Sequence, residues 1–119
     1  MSSRVHSYLR THRRRWALTK PEIAILLGYK SPTHISRVEQ GERQPVLLIV
    51  LAYEILFGVA PRELLPQLYE EIEDAVMARA SELYEKVESD TSQSAMRKKE
   101  LLSAALKRAI IRHNNKPGT

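Results

Sequence analysis

The chain contains no cysteine. Disulfides, thiolate catalysis and cysteine-ligated zinc are therefore excluded together. Long apolar runs are also missing: the longest, residues 46–53, falls far short of the roughly 20 residues that span a bilayer. The early arginines Arg4, Arg10, Arg13, Arg14 and Arg15 are not followed by an apolar stretch of signal-peptide kind, so a cytoplasmic protein is expected. There is no glycine-rich phosphate loop, low-complexity tract, internal repeat or useful period-2 alternation. His34 lacks a carboxylate or second histidine at ligand spacing, and His6 and His12 are not at i,i+4, so no metal site is expected. The acidic pairs Glu70-Glu71 and Glu73-Asp74 read as a solvated helix face. Neither an enzyme nor a cofactor is implied.

What is present is a chain of 119 residues, 43% hydrophobic, enough for a packed core. The net charge of +5 points to an anionic partner. Its distribution is uneven. Residues 1–66 hold ten basic and five acidic residues, residues 67–90 hold two and eight, and residues 91–119 hold seven and one.

The periodicity is helical throughout. A first helix from about Arg4 to Arg15 carries Val5, Leu9, His12 and Trp16 on one stripe, with Trp16 filling the core beside the next helix. A second helix has Thr19 and Glu22 as a capping box and Pro21 in its first turn, and ends at Gly28. A third is capped by Ser31, has Pro32 at its first position and Ile35 and Val38 inward, and ends at Gly41. A fourth follows Pro45 and stops at Gly58, and a short turn covers residues 61–65. A longer helix over residues 67–89 has the stripe Tyr69, Ile72, Val76, Ala80, Leu83 and Val87. After a polar break at residues 90–94, a last helix directs Leu102, Ala105, Leu106, Ala109 and Ile110 inward.

Residues 18–45 thus read as two short helices joined by a glycine turn, the second bearing small, polar and basic residues at its start. That geometry suits insertion of a helix into the DNA major groove. Leu18-Thr19, Ile23-Ala24, Leu27-Gly28, Ile35-Ser36, Val38-Glu39, Gly41, Arg43, Pro45, Leu56, Gly58-Val59 and Leu64-Leu65 occur together and in order. In these, residues 9–65 resemble the Cro/repressor-type (Xre-like) helix-turn-helix family of transcriptional regulators. The resemblance implies an all-α fold: a five-helix lambda-repressor-like domain over residues 1–66, followed here by a two-helix extension over residues 67–119. One departure is a turn between Gly28 and Ile35 that is one residue longer than the family's.

With Ile35 and Val38 inward, Pro32, Thr33, His34, Ser36 and Arg37 lie on the outer side of the third helix. The resemblance matches Pro32, Thr33 and Arg37 to base-contacting positions. Arg37 suits the O6/N7 edge of guanine, whereas Pro32 offers only apolar contact. Thr19 and Lys20, with the exposed amides of their helix, are the expected phosphate contacts, and Lys30, Ser36, Arg43 and Gln44 are further candidates. Arg13 and Glu39 match a structural salt bridge of the family. The run Arg13-Arg14-Arg15 is either a solvated helix end or a phosphate contact.

The fourth helix is too apolar for one buried face. Leu48, Leu51, Ala52 and Ile55 are expected against the second and third helices, and Val46, Val50, Tyr53 and Phe57 form a second stripe. A homodimer is expected, with the C-terminal hairpin contributing most of the interface; the alternative is that these helices extend the monomer's own core. The basic residues Arg97, Lys98, Lys99, Lys107 and Arg108 either touch DNA or pair with the acidic helix, the second being favoured. Two functions follow. One is a sequence-specific regulator that binds double-stranded DNA. The other is an antitoxin-like or adaptor module that binds a protein partner through residues 67–113.

Overall fold

The computed structural model describes residues 7–115. Among them the protein is all-α, with α1 (Leu9–Arg15), α2 (Lys20–Leu27), α3 (Thr33–Glu39), α4 (Leu47–Phe57), α5 (Pro61–Leu64), α6 (Pro66–Val87) and α7 (Gln93–Asn114). The chain divides into two compact units, Met1–Glu70 and Glu71–Thr119. The division comes after Glu70 rather than after residue 66. Leu64 and Leu65 are buried in the first core, and Leu68, in the first turn of α6, packs against it.

In the first unit, Leu9, Ile23, Ala24, Leu27, Ile35, Val38, Ile49, Tyr53 and Val59 complete that core. The helix expected from about Arg4 begins at Leu9; Arg4, Val5 and His6 lie outside the described residues. The Tyr8 amide donates to the Leu64 carbonyl at 2.9 Å and ties the start of α1 to α5. Trp16 does not fill the core: it is 65% exposed. The chain leaves α1 through Ala17, at φ +58°, with the Leu18 amide returning to the Arg13 carbonyl. That reversal directs Trp16 outward, while Leu18 packs against the core.

The phase of α4 also differs from expectation. Ile49 and Tyr53 are the buried pair, with Val50, Ala52 and Phe57 packed beside them. Leu47, Leu48, Leu51 and Ile55 face outward, and Ile55 is 82% exposed. Apolar residues occur on every side of this helix, so spacing alone does not select the inward face. The aromatic rings select it: Tyr53 meets Phe57 edge-on at 5.2 Å, and Phe57 stacks on His12 at 6.2 Å.

The second unit holds α7 and all but the start of α6. The short connection between them makes the helices antiparallel neighbours. Ser92 caps α7 by accepting from the Ala95 amide at 3.2 Å. The Lys99 ammonium donates to the carbonyls of Glu88 and Asp90. Hydrogen bonds from Ser92, and then the charges of Lys99 and Lys98, hold the Asp90 carboxyl below its ordinary pKa. Ala80, Ala95 and Ala109 are buried in this unit; Glu73, Met77, Tyr84 and Val87 are half-buried on the same side of α6 as Ala80. Tyr69, Ile72, Val76 and Leu83, expected inward, are exposed, as is Ile110 of α7. Two overlapping stripes that share Ala80 run along α6, and the buried one is the stripe whose Glu73 pairs with Arg112 of α7.

Two predictions follow from the first unit. Left-handed strain at Ala17 costs about 1–2 kcal/mol, more than the roughly 0.4–1 kcal/mol that glycine adds to unfolded-chain entropy. Ala17→Gly is therefore expected to stabilise the protein, read as a higher urea midpoint. His12 has its pKa lowered, first by burial and then by Arg15, against a weaker opposing effect of Glu63. Its folded pKa lies below the unfolded value of 6.5, so its contribution is complete above that value and is lost as pH falls through the folded pKa. His12→Gln is expected to flatten this part of the acid-side decline, measured as unfolding free energy across pH.

Candidate nucleic-acid interface

α2 is held by its own first turn. The Thr19 hydroxyl accepts from the Glu22 amide at 3.2 Å, and the Glu22 carboxylate accepts from the Thr19 amide at 2.9 Å. These bonds hold the Glu22 carboxyl below its ordinary pKa. Pro21 has no amide hydrogen, so among the first positions of α2 the Lys20 amide is left for an outside acceptor. The expected row of exposed amides thus reduces to one donor, and the Glu22 charge beside it opposes an anion. Cationic side chains compensate. Thr19 and Lys20 line an open depression of about 450 Å³ together with Arg13, Arg14, Ala17, Leu18 and Pro21. Arg14 was not singled out from the sequence; its only signal there was membership of the run Arg13-Arg14-Arg15.

Gly28 closes α2 at φ +83°, a backbone conformation that suits glycine, and α3 follows after four intervening residues. α3 starts one residue later than expected. Pro32, not Ser31, is the residue before its first turn, and Ser31 reaches over it to accept from the Thr33 amide at 3.4 Å. The longer turn takes up that extra residue. Ser31 also donates to the Thr33 hydroxyl at 3.2 Å, which fixes the oxygen that Thr33 presents.

Ile35 and Val38 are 0% and 1% exposed, and they set the rotation of α3. Thr33 and Arg37 are exposed and one turn apart on the outer side, with Gln40 continuing that side. Pro32 and Ser36 are half-buried. His34 is not free on the outer side: it tilts onto the Tyr29 ring at 5.3 Å, and its Nε2 is buried without a hydrogen bond among the described residues. Lys30, Arg43 and Gln44 are exposed in the segments before and after α3, and Lys20 is half-buried. Among the described residues no group of three or more histidines, cysteines or carboxylates could hold a metal ion.

The rear of α3 is held by an ion pair. Arg13 Nε donates to Glu39 Oε2 at 2.7 Å and Nη2 donates to Oε1 at 2.9 Å. Nη1 donates to the Leu18 carbonyl at 2.8 Å. The two side chains are only 9% and 2% exposed, so this is a buried pair rather than a solvent-facing one. The hydrogen bond to Glu39 raises the Arg13 pKa further. Tyr53 lies close enough to feel both charges. Burial raises its phenol pKa, Glu39 adds to the rise and Arg13 opposes it.

Removing one member strands the other charge. Glu39→Leu and Arg13→Met are each expected to destabilise the protein by about 3 kcal/mol or more, whereas the two together lose much less than the sum. Urea titration of the four-member cycle measures the difference.

The residues of this surface carry the functional reading alone: comparison with known proteins found no matching family model, curated protein or solved structure.

Proposed function

We propose that the protein is a sequence-specific regulator that binds double-stranded DNA, with α3 as the recognition helix of a helix-turn-helix in the Cro/repressor manner. The observation that carries this reading is the rotation of α3: Ile35 and Val38 are buried while Thr33 and Arg37 stand exposed on the opposite side. In the proposed complex Arg37 reads a guanine edge through two parallel hydrogen bonds, and the methyl of Thr33 meets a thymine. Pro32 adds apolar contact. Lys20, Arg14, Lys30, Arg43 and Gln44 meet phosphates and set the register without reading sequence. Thr19 and Ser36 complete the phosphate set, Thr19 with its hydroxyl already engaged in the cap. Arg13 and Glu39 hold α3 and touch no DNA.

The protein acts as a homodimer in this reading, because one recognition helix covers too little DNA for useful specificity. The hairpin was expected to supply most of the contact between copies. The outward stripe of α4 is the better surface: Leu47, Leu48, Leu51 and Ile55 carry no charge, so two copies can meet there without repulsion. The hairpin is then left for a partner protein, which keeps the adaptor reading alongside the regulator.

Selection of bound sequences from a random duplex pool tests the proposal, and a two-fold symmetric consensus is the expected result. Arg37→Ala is expected to relax one base position and cost about 1–3 kcal/mol on the preferred site. Lys20→Ala is expected to weaken all sequences alike and lower the salt slope by about one unit. No enrichment, together with no duplex affinity at low salt, would remove the reading.

A further inference from the structure

The second unit segregates its charges by side. On α6, Ile72, Val76, Arg79, Leu83 and Lys86 follow one another at alternating four- and three-residue spacings, so they form one stripe. It lies beside the buried stripe that holds Ala80. Ile72 is 54% exposed, and Val76 and Leu83 are nearly as open. On α7, Leu101 is 64% exposed, and Lys98 and Arg108 flank it at the same kind of spacing.

Antiparallel packing places these two stripes on one face. In such a pair, residues displaced in the same sense from the seam of each helix fall on the same side. The opposite side is identified by Tyr84, which gathers with Met96, Lys99, Glu100 and Ser103. Arg112 lies on the Leu101 side of α7 and reaches across to Glu73, whose carboxylate accepts from its Nε. That carboxylate is therefore already engaged. The face is left with four apolar side chains and the cations Arg79, Lys86, Lys98 and Arg108. These four cations form no ion pair among the described residues. The exposed carboxylates Asp74 and Glu85 belong to the other side of α6, and Glu82 stands at the outer edge of the face, one turn from Arg79 and from Lys86.

We propose that the hairpin face bearing Ile72, Val76, Leu83 and Leu101 docks an acidic amphipathic helix of a partner protein. The groove between two packed helices accepts a third helix by its apolar stripe, and the cations beside the groove meet carboxylates flanking that stripe. A second copy is the wrong occupant, because the same face on a two-fold mate would bring cations against cations. A lipid surface is also the wrong occupant. Arg79 interrupts the apolar stripe between Val76 and Leu83, which acyl chains would penalise and a facing carboxylate would satisfy.

The test uses the full chain and a fluorescent synthetic peptide about four helical turns long, with leucine at heptad a and d positions and glutamate beside them. A matched peptide with lysine for glutamate is the control. Saturable binding of the acidic peptide at least about tenfold tighter than the control is expected. Leu83→Glu is expected to abolish it. Arg79→Glu with Arg108→Glu, both on exposed side chains, is expected to reverse the preference while circular dichroism stays unchanged. Equal affinity for the two peptides, no saturable binding, or binding indifferent to the double charge reversal would each overturn the proposal. So would self-association in sedimentation that Leu83→Glu abolishes, or tighter binding to anionic phosphatidylserine vesicles than to the acidic peptide.

Discussion

A buried ion pair organises the first unit. Arg13 points inward from α1 and spends its three nitrogens on two separate parts of the chain: the Glu39 carboxylate at the end of α3, and the Leu18 carbonyl in front of α2. Both charges are largely removed from solvent, so a displacement of α3 that lengthens the pair leaves them poorly solvated as well as short of a hydrogen bond. The planar guanidinium also fixes direction, since two parallel bonds tolerate little rotation of the carboxylate. The two helices are therefore held at an angle as well as in contact. Tyr53 of α4 is near enough to feel both charges, and its hydroxyl is buried without a hydrogen bond among the described residues.

That constraint gives the exposed side of α3 its meaning. A helix of only seven residues has little stability of its own. It is kept by Ile35 and Val38 on one side and by Glu39 at its end, and the residues left over are Thr33 and Arg37. The cap of α2 adds a second limit. Its capping box satisfies the helix internally, so an anion there would be held by the cations Lys20 and Arg14 more than by the helix end. In the proposed complex this makes the phosphate contribution dependent on salt.

The second unit is built on different principles. Its buried positions are mainly alanines, which permit close approach but contribute little apolar area. Larger apolar residues are left outside, on a face where cations outnumber the one bordering carboxylate, Glu82. The attraction expected between the acidic α6 and the basic α7 is realised at Arg112 with Glu73, while Lys99 bonds instead to backbone carbonyls of the connection. The other cations of α7 remain available for a partner.

Local chemistry made much of the architecture legible in the sequence. The capping box of Thr19 and Glu22 and the turns at Gly28 and Gly58 each depend on residues within a few positions of one another. The inward direction of Ile35 and Val38 was legible for the same reason, since a short helix with two apolar residues has only one phase. Pairing of Arg13 with Glu39 could be named through the resemblance, but its depth could not. Burial depends on what packs over a pair, and those groups come from elsewhere in the chain. The phases of α4 and α6 were likewise decided only in three dimensions. α4 is apolar on all sides and α6 carries two adjacent stripes, so periodicity left the choice open. Ring packing at Tyr53 and the pairing of Glu73 with Arg112 made it. Trp16 was turned outward by a reversal at Ala17 that no glycine announced. By itself the sequence determined the order of the helices and their approximate bounds; the tertiary structure decided which way they face, because that choice is made by shape and charge contributed from distant residues.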